Sequence, residues 1–157
     1  MPPDDDNPAP GWLLAARRPE IAADLEAVFT LVADQIEARD PSCWASGRCC
    51  AFGSAGHRLY VTGLEAAYTV ARLESPLRRD ALDLAVARDD CPFLSANLCG
   101  VHTIKPVACR VYFCDRSAQA WQRDLAERAH ALVRAVHDRH GVPYRYAEWR
   151  TQLALFL

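Results

Sequence analysis

A single methionine stands against seven cysteines in this 157-residue chain, so sulfur is not present as flexible core filler. Packing alone would use Leu or Met as readily, and thiols in this number point to chemistry. Also missing is any run of the roughly 18 apolar residues that a membrane-spanning helix needs. The N-terminus, Met1-Pro2-Pro3-Asp4-Asp5-Asp6, is acidic where a secretory leader would be basic. These absences predict a cytoplasmic protein with no membrane partner. Dense charge runs are absent as well. The 18 basic residues are spread among 20 acidic ones for a formal net charge of −2, which leaves no electrostatic footprint for nucleic acid or anionic lipid.

The familiar catalytic signatures are lacking too. There is no phosphate-binding loop ending in Gly-Lys-Ser/Thr, no G-x-G-x-x-G and no H-E-x-x-H, and Glu65 and Glu148 stand as single carboxylates. Enzymatic activity is therefore left open by the sequence. A chain of this length makes one domain with a core large enough to fold without staples. In a reducing compartment thiols serve metals or redox chemistry more often than a disulfide framework, and an odd number of cysteines fits that reading.

Four prolines and three consecutive aspartates in residues 1–11 predict a flexible N-terminal arm over 1–18, with Gly11-Trp12-Leu13-Leu14 pinning its end to the core. Residues 19–157 read as a single domain. Ile21, Leu25, Phe29, Val32 and Ile36 trace one face of a helix from Pro19 to Asp40, stopped by Pro41. Arg58-Leu59-Tyr60-Val61 reads as a short extended stretch. Thr62 and Glu65 then form a capping box for a helix over about 63–73 with Leu64, Ala67, Tyr68 and Ala71 on one side. Ser75-Pro76 predicts the start of another helix, carrying Leu77, Ala81, Leu84 and Ala85. A long helix runs from near Ser117 to His140 with Trp121, Leu125, Leu132 and Val136 inward, ended by Gly141 and Pro143. Its histidines, His130, His137 and His140, are interleaved with Arg and Asp and read as a solvated face. Tyr144, Tyr146, Trp149, Leu153 and Phe156 form a tail that packs back on the helices. The expected class is mainly α: a small helical domain with irregular cysteine-bearing loops around a metal site.

The cysteines fall into two groups. Cys43, Cys49 and Cys50 lie in a Ser- and Gly-rich loop over 41–57, and Cys91, Cys99, Cys109 and Cys114 lie in a segment broken by Pro92, Gly100 and Pro106. A shared site would tie the two loops together across the fold. The spacings are too wide for the paired C-x2-C knuckles of a zinc ribbon. Adjacent cysteines such as Cys49 and Cys50 point in different directions, which suits one ligand beside one packed thiol, or a cluster of several atoms. Four thiolates satisfy an iron–sulfur cluster or a closed tetrahedral zinc site, and spacing does not choose between them. Arg48 and Arg110 adjoin cysteines, where positive charge offsets thiolate charge. Trp44 is placed to shield the site, and His102 is a further, less favoured ligand.

Four pieces of the chain, Cys43-x5-Cys49-Cys50, Cys91-Pro92-Phe93-Leu94, Cys99-Gly100-Val101-His102 and Lys105-Pro106-Val107-Ala108-Cys109-Arg110-Val111-Tyr112, together carry a resemblance. Over residues 43–114 the chain resembles the YkgJ-type cysteine-cluster proteins, small bacterial proteins described as zinc- or iron-chelating. The flagellin lysine methylases carry a related cysteine-rich motif associated with an iron–sulfur cluster. The chain departs from the family pattern at Ser46, where a cysteine is usual, at His102 in place of Tyr, and at Lys105 in place of Arg; Cys114 is an additional thiol. The resemblance implies Cys43, Cys49, Cys50, Cys91, Cys99 and Cys109 as ligands, with Cys114 a candidate replacement for the one missing at Ser46. The function it implies is a protein holding an iron–sulfur cluster, of the 4Fe–4S kind, in a redox, electron-transfer or methyl-transfer-like role. The alternatives are a zinc-binding structural or chelating domain without catalysis, and a thiol redox module cycling Cys49-Cys50 or Cys109 and Cys114 through a disulfide. A protein partner is compatible with each of these.

Overall fold

The computed structural model describes residues 6–39, 51–55, 58–96, 98–111 and 119–157. The fold is mainly α, and its helices bury two apolar clusters that meet across a central helix.

The first helix, α1 (Ala9–Arg17), corrects the expectation of a flexible arm over 1–18 for these nine residues. Pro8 is its N-cap and Pro10 lies in its first turn, where a missing N–H leaves no hydrogen bond unmade. Asn7 Oδ1 accepts from the Ala9 N–H at 3.0 Å. Trp12 provides the tertiary reason for the helix: its indole is fully buried and donates to the Pro143 carbonyl at 2.8 Å. Its ring lies flat on Gly63, where a β-carbon would overlap it. Burying a tryptophan in this way is worth about 3–5 kcal/mol relative to alanine, enough to dock a helix that composition alone reads as disordered.

Helix α2 (Pro19–Arg39) buries Ile21, Leu25, Phe29 and Val32 as its periodicity predicts, with Ile36 packed at the edge of the same cluster. The short α3 (Phe52–Ala55) and strand β1 (Tyr60–Thr62) follow, and β1 leads directly into α4 (Gly63–Ala71). The capping box is formed: Thr62 Oγ1 accepts from the Glu65 N–H at 3.3 Å, and Glu65 Oε2 accepts from the Thr62 N–H at 2.8 Å. Residues 63–69 of α4 are buried on every side rather than along one stripe, because α1, α8 and β1 all pack on it.

Helix α5 (Arg79–Arg88) starts later than Ser75-Pro76 suggests. Arg78 is its N-cap, in an extended conformation, and Leu77 is drawn against the second cluster from outside the helix. Leu82 and Ala85 form its buried face, while Leu84 stays half exposed at 50 %. A hairpin of β2 (Leu94–Ser95) and β3 (Leu98–Cys99) and the one-turn α6 (Val107–Arg110) follow.

Helix α7 (Gln119–His140) packs on α2 and buries Leu125, Ala129, Val133, Val136 and His137. The reading of a solvated histidine face is corrected here. His137 is fully buried, with Nδ1 within 3.2 Å of the carbonyls of Val142 and Pro143. His140 reaches Asp24 at 2.7 Å, and His130 reaches the Tyr144 hydroxyl at 2.8 Å. Leu132, expected inward, is 40 % exposed. Gly141, with φ of 63°, ends the helix in the left-handed conformation that glycine favours. The tail packs back as β4 (Tyr146–Glu148), antiparallel to β1, and α8 (Trp149–Ala154), which buries Trp149 and Leu153. Among the described residues no helix is long and apolar enough to cross a membrane.

Candidate metal centre

Each of the three described cysteines is placed by a different local device. Cys91 follows the end of α5, where Asp89 adopts the left-handed conformation (φ 57°) and the Asp90 N–H returns to the Ala85 carbonyl at 2.9 Å. The Cys91 carbonyl accepts from the Leu94 N–H at 3.1 Å, which turns the chain into the hairpin. There Leu94 pairs with Cys99, so the hairpin folds Cys99 back toward the Cys91 end of the segment. The Gly100 N–H closes that turn on the Phe93 carbonyl at 2.8 Å; a β-carbon on Gly100 would stand 3.0 Å from the same oxygen. Cys109 lies in α6, whose start is fixed from outside. Glu65 Oε1 accepts from the Val107 N–H at 2.9 Å, so one buried carboxylate caps α4 with one oxygen and α6 with the other.

Arg110, next to Cys109, fastens this segment rather than facing solvent. It donates to the carbonyls of Lys105 (2.8 Å) and Thr103 (3.1 Å), and its guanidinium lies 4.0 Å from the centre of the Phe29 ring. Burial draws its pKa below the usual arginine value. His102 is exposed, 3.1 Å from Lys105 Nζ, and the positive charge of Lys105 and then partial burial lower its pKa.

The three described cysteines all touch the second apolar cluster. Cys91 (4 % exposed) and Cys109 (7 %) belong to the second apolar cluster, with Phe52, Leu59, Val61, Ala66, Leu82, Trp149 and Leu153, and Cys99 packs against it. The Trp149 indole N–H donates to Cys91 Sγ at 3.3 Å, and the Phe93 ring packs on Trp149 with centroids 5.9 Å apart. Two arginines join this cluster to the chain that follows the first cysteine loop. The Gly53 N–H donates to the Asp89 carbonyl at 2.9 Å, Arg58 pairs with Asp89 Oδ2 at 2.9 Å, and Arg150 pairs with Asp89 Oδ1 at 3.0 Å. Arg150 also holds Glu148 Oε1 at 2.8 Å and lies 4.8 Å from the centre of the Phe52 ring. Desolvation pulls the Asp89 carboxyl up, but the hydrogen bond from Arg150 and the charge of Arg58 outweigh it and hold the group below its usual range. Phe52, two residues after Cys50, is thus buried among the residues that surround Cys91 and Cys109. At the other ends of the cysteine segments, Arg39 of α2 lies 5.6 Å from the Trp121 ring of α7.

Cys43, Cys49, Cys50 and Cys114 lie outside the described residues, as do Trp44, Ser46, Arg48 and His57. Among the described residues no group of three or more His, Cys, Asp or Glu side chains is arranged to hold a metal ion. Cys91, Cys99 and Cys109 are therefore brought to one apolar cluster without forming a complete ligand set among themselves.

Several residues of this arrangement carry no local sequence signal. Trp149 is recognisable as an apolar tail residue, but its contact with Cys91 spans 58 positions. The second bond of Glu65 spans 42 positions, and the Arg150–Asp89 bond spans 61. The chain matches no family model, no curated protein and no solved structure.

Proposed function

We propose that the chain is a cysteine-cluster metal protein in which thiolates of both cysteine groups hold one iron–sulfur cluster, of the 4Fe–4S kind, in a redox or electron-transfer role. One observation supports the reading: Cys91 and Cys109 belong to, and Cys99 packs against, the apolar cluster that also buries Phe52, two residues beyond Cys50. Such surroundings suit the group. Thiolate-bound iron–sulfur centres sit in low-dielectric pockets and take hydrogen bonds at their sulfurs, as Trp149 supplies at Cys91. Cys43, Cys49 and Cys50, which the resemblance to the YkgJ-type proteins implies as ligands, would complete the donor set, with Cys114 as the additional thiol that could replace the one missing at Ser46.

Purification without oxygen tests this. Brown protein with stoichiometric iron and acid-labile sulfide is the expected result, and Cys91→Ser and Cys99→Ser should each lose it. Colourless protein with stoichiometric zinc would replace the cluster by a closed structural zinc site. Metal-free folded protein with a titratable thiol pair would favour the thiol redox module.

A further inference from the structure

Between Cys91 and Cys114 the chain has no aspartate or glutamate, although 20 such residues are spread over the rest of it. It does have Lys105 and Arg110 there, together with His102, so in a chain of net charge −2 this segment is locally positive. Among the described residues the ion pairs leave Lys105 and Arg110 without a carboxylate. Neighbouring elements do not supply one. Glu26 of α2 accepts from the Tyr68 hydroxyl at 2.8 Å, and Glu65 of α4 is buried on the N–H groups of Thr62 and Val107.

Lys105 Nζ instead stands 3.1 Å from His102 Nδ1. An ammonium only donates, so Nδ1 accepts and the neutral His102 ring carries its proton on Nε2. The charge of Lys105, ahead of partial burial and the charge of Arg110, lowers the His102 pKa, in keeping with positive surroundings. These groups are held from behind. Arg110 donates to the carbonyls of Thr103 and Lys105, Thr69 Oγ1 donates to the Ile104 carbonyl at 2.6 Å, and Ile104 packs on the first apolar cluster. A stretch fixed in this way loses little freedom on meeting a partner. In the preceding hairpin Leu98, next to Cys99, is 60 % exposed, and Cys99 is the least buried of the described cysteines. A transient electron-transfer contact needs these two things: a small apolar spot for close approach, and charge of one sign to steer the encounter.

We propose that the face carrying Leu98, His102, Thr103 and Lys105 docks an acidic electron-transfer protein. Leu98 meets the partner beside Cys99, and Lys105, with the donors of His102 and Thr103, meets its carboxylates. That the partner is a redox protein rests on the iron–sulfur reading; the affinity of the face for anions does not.

The full chain is tested first by NMR with hexacyanochromate(III), a redox-inert paramagnetic trianion. At low ionic strength it should broaden the amides of residues 98 and 102–105 before the rest, and Lys105→Glu should abolish the preference. Broadening that is uniform or centred elsewhere overturns the proposal. A plant-type ferredoxin, an acidic 2Fe–2S protein, then serves as the partner probe. Its shifts should fall on the same amides, weaken several-fold in Lys105→Glu, and vanish in about 1 M salt, where the Debye length is about 3 Å. Anion binding with no response to ferredoxin would reduce the face to a small-anion site and overturn the docking. In protein purified without oxygen and then reduced, oxidation by hexacyanoferrate(III) should slow several-fold in Lys105→Glu, while oxidation by the trication tris(phenanthroline)cobalt(III) should quicken. Equal slowing with both oxidants means damage to the centre rather than lost steering, and overturns the proposal. Wild type without a cluster would sink the iron–sulfur reading, with both NMR arms still deciding this one. Should Lys105→Glu fail to fold, Lys105→Gln removes the charge alone and should move every readout in the same direction by less.

Discussion

Glu65→Gln isolates the buried carboxylate that joins α4 to the cysteine-bearing α6. In the wild type Oε2 accepts from the Thr62 N–H at 2.8 Å and Oγ1 at 3.0 Å, while Oε1 accepts from the Val107 N–H at 2.9 Å, all at 3 % exposure. Glutamine offers one carbonyl oxygen, and the orientation that keeps both Thr62 bonds turns its NH2 toward the Val107 N–H. An orphaned buried donor costs about 1–3 kcal/mol, and two facing donors cost more. Relief from burying a carboxylate offsets part of this, leaving a net loss of about 2 kcal/mol. With a urea slope of about 2 kcal/mol/M, the unfolding midpoint should fall by about 1 M. The Val107 amide should exchange with solvent faster than in wild type. The pH dependence has a definite sign. Burial raises the Glu65 pKa above the ordinary 4.5, against the hydrogen bonds from Thr62 and Val107. The folded state therefore keeps a proton that the unfolded chain releases, and wild type loses stability as pH rises from 4.5 through the folded pKa. Gln does not titrate, so the gap between wild type and variant should narrow over that window. An unchanged midpoint with unchanged Val107 exchange would refute the dual cap; a gap that widens with pH would refute the burial argument.

Gly63→Ala should cost about 1–3 kcal/mol, because its methyl would overlap the buried Trp12 ring, and chemical denaturation reads this directly. Arg150→Met keeps the aliphatic stem but removes the ion pair with Glu148, which keeps its capping bonds from the N–H groups of residues 150 and 151, and leaves Asp89 with Arg58. The urea midpoint should fall less than in Glu65→Gln, and the Gly53 amide should exchange faster. Burial lowers the His137 pKa from 6.5, so stability is fully present above 6.5 and is lost as pH falls below it. His137→Gln should flatten that part of the stability profile, whereas parallel profiles would contradict the assignment. The arginine-paired Asp80 and Asp89, whose pKa values are lowered from 3.8, act in a separate window further down.

What was legible in the sequence was local. The α2 periodicity, the Thr62–Glu65 capping box and the Gly141 stop depend on neighbours a few residues away, and the structure shows each. Misreadings came where distant contacts overrule local chemistry. Proline-rich composition concealed α1 because its partner is Gly63 and the Pro143 carbonyl, 131 positions from Trp12. His137 looked solvated among charged neighbours, but the turn after α7 closes over it and supplies acceptors at Val142 and Pro143. The same holds for the site. The second cysteine segment stands out in the sequence by its thiols and its Pro92, Gly100 and Pro106 breaks, while residues packed around Cys91 and Cys109 or bonded next to them, Phe52, Asp89, Trp149 and Arg150, carry no signal before the chain is folded.

The central claim is that the two cysteine groups serve a single centre, and metal per chain in the Cys49→Ser/Cys50→Ser double variant, purified without oxygen beside wild type and Cys109→Ser, tests it most directly. The account predicts that both variants lose the metal and sulfide that wild type holds. A double variant retaining the full wild-type complement would contradict it.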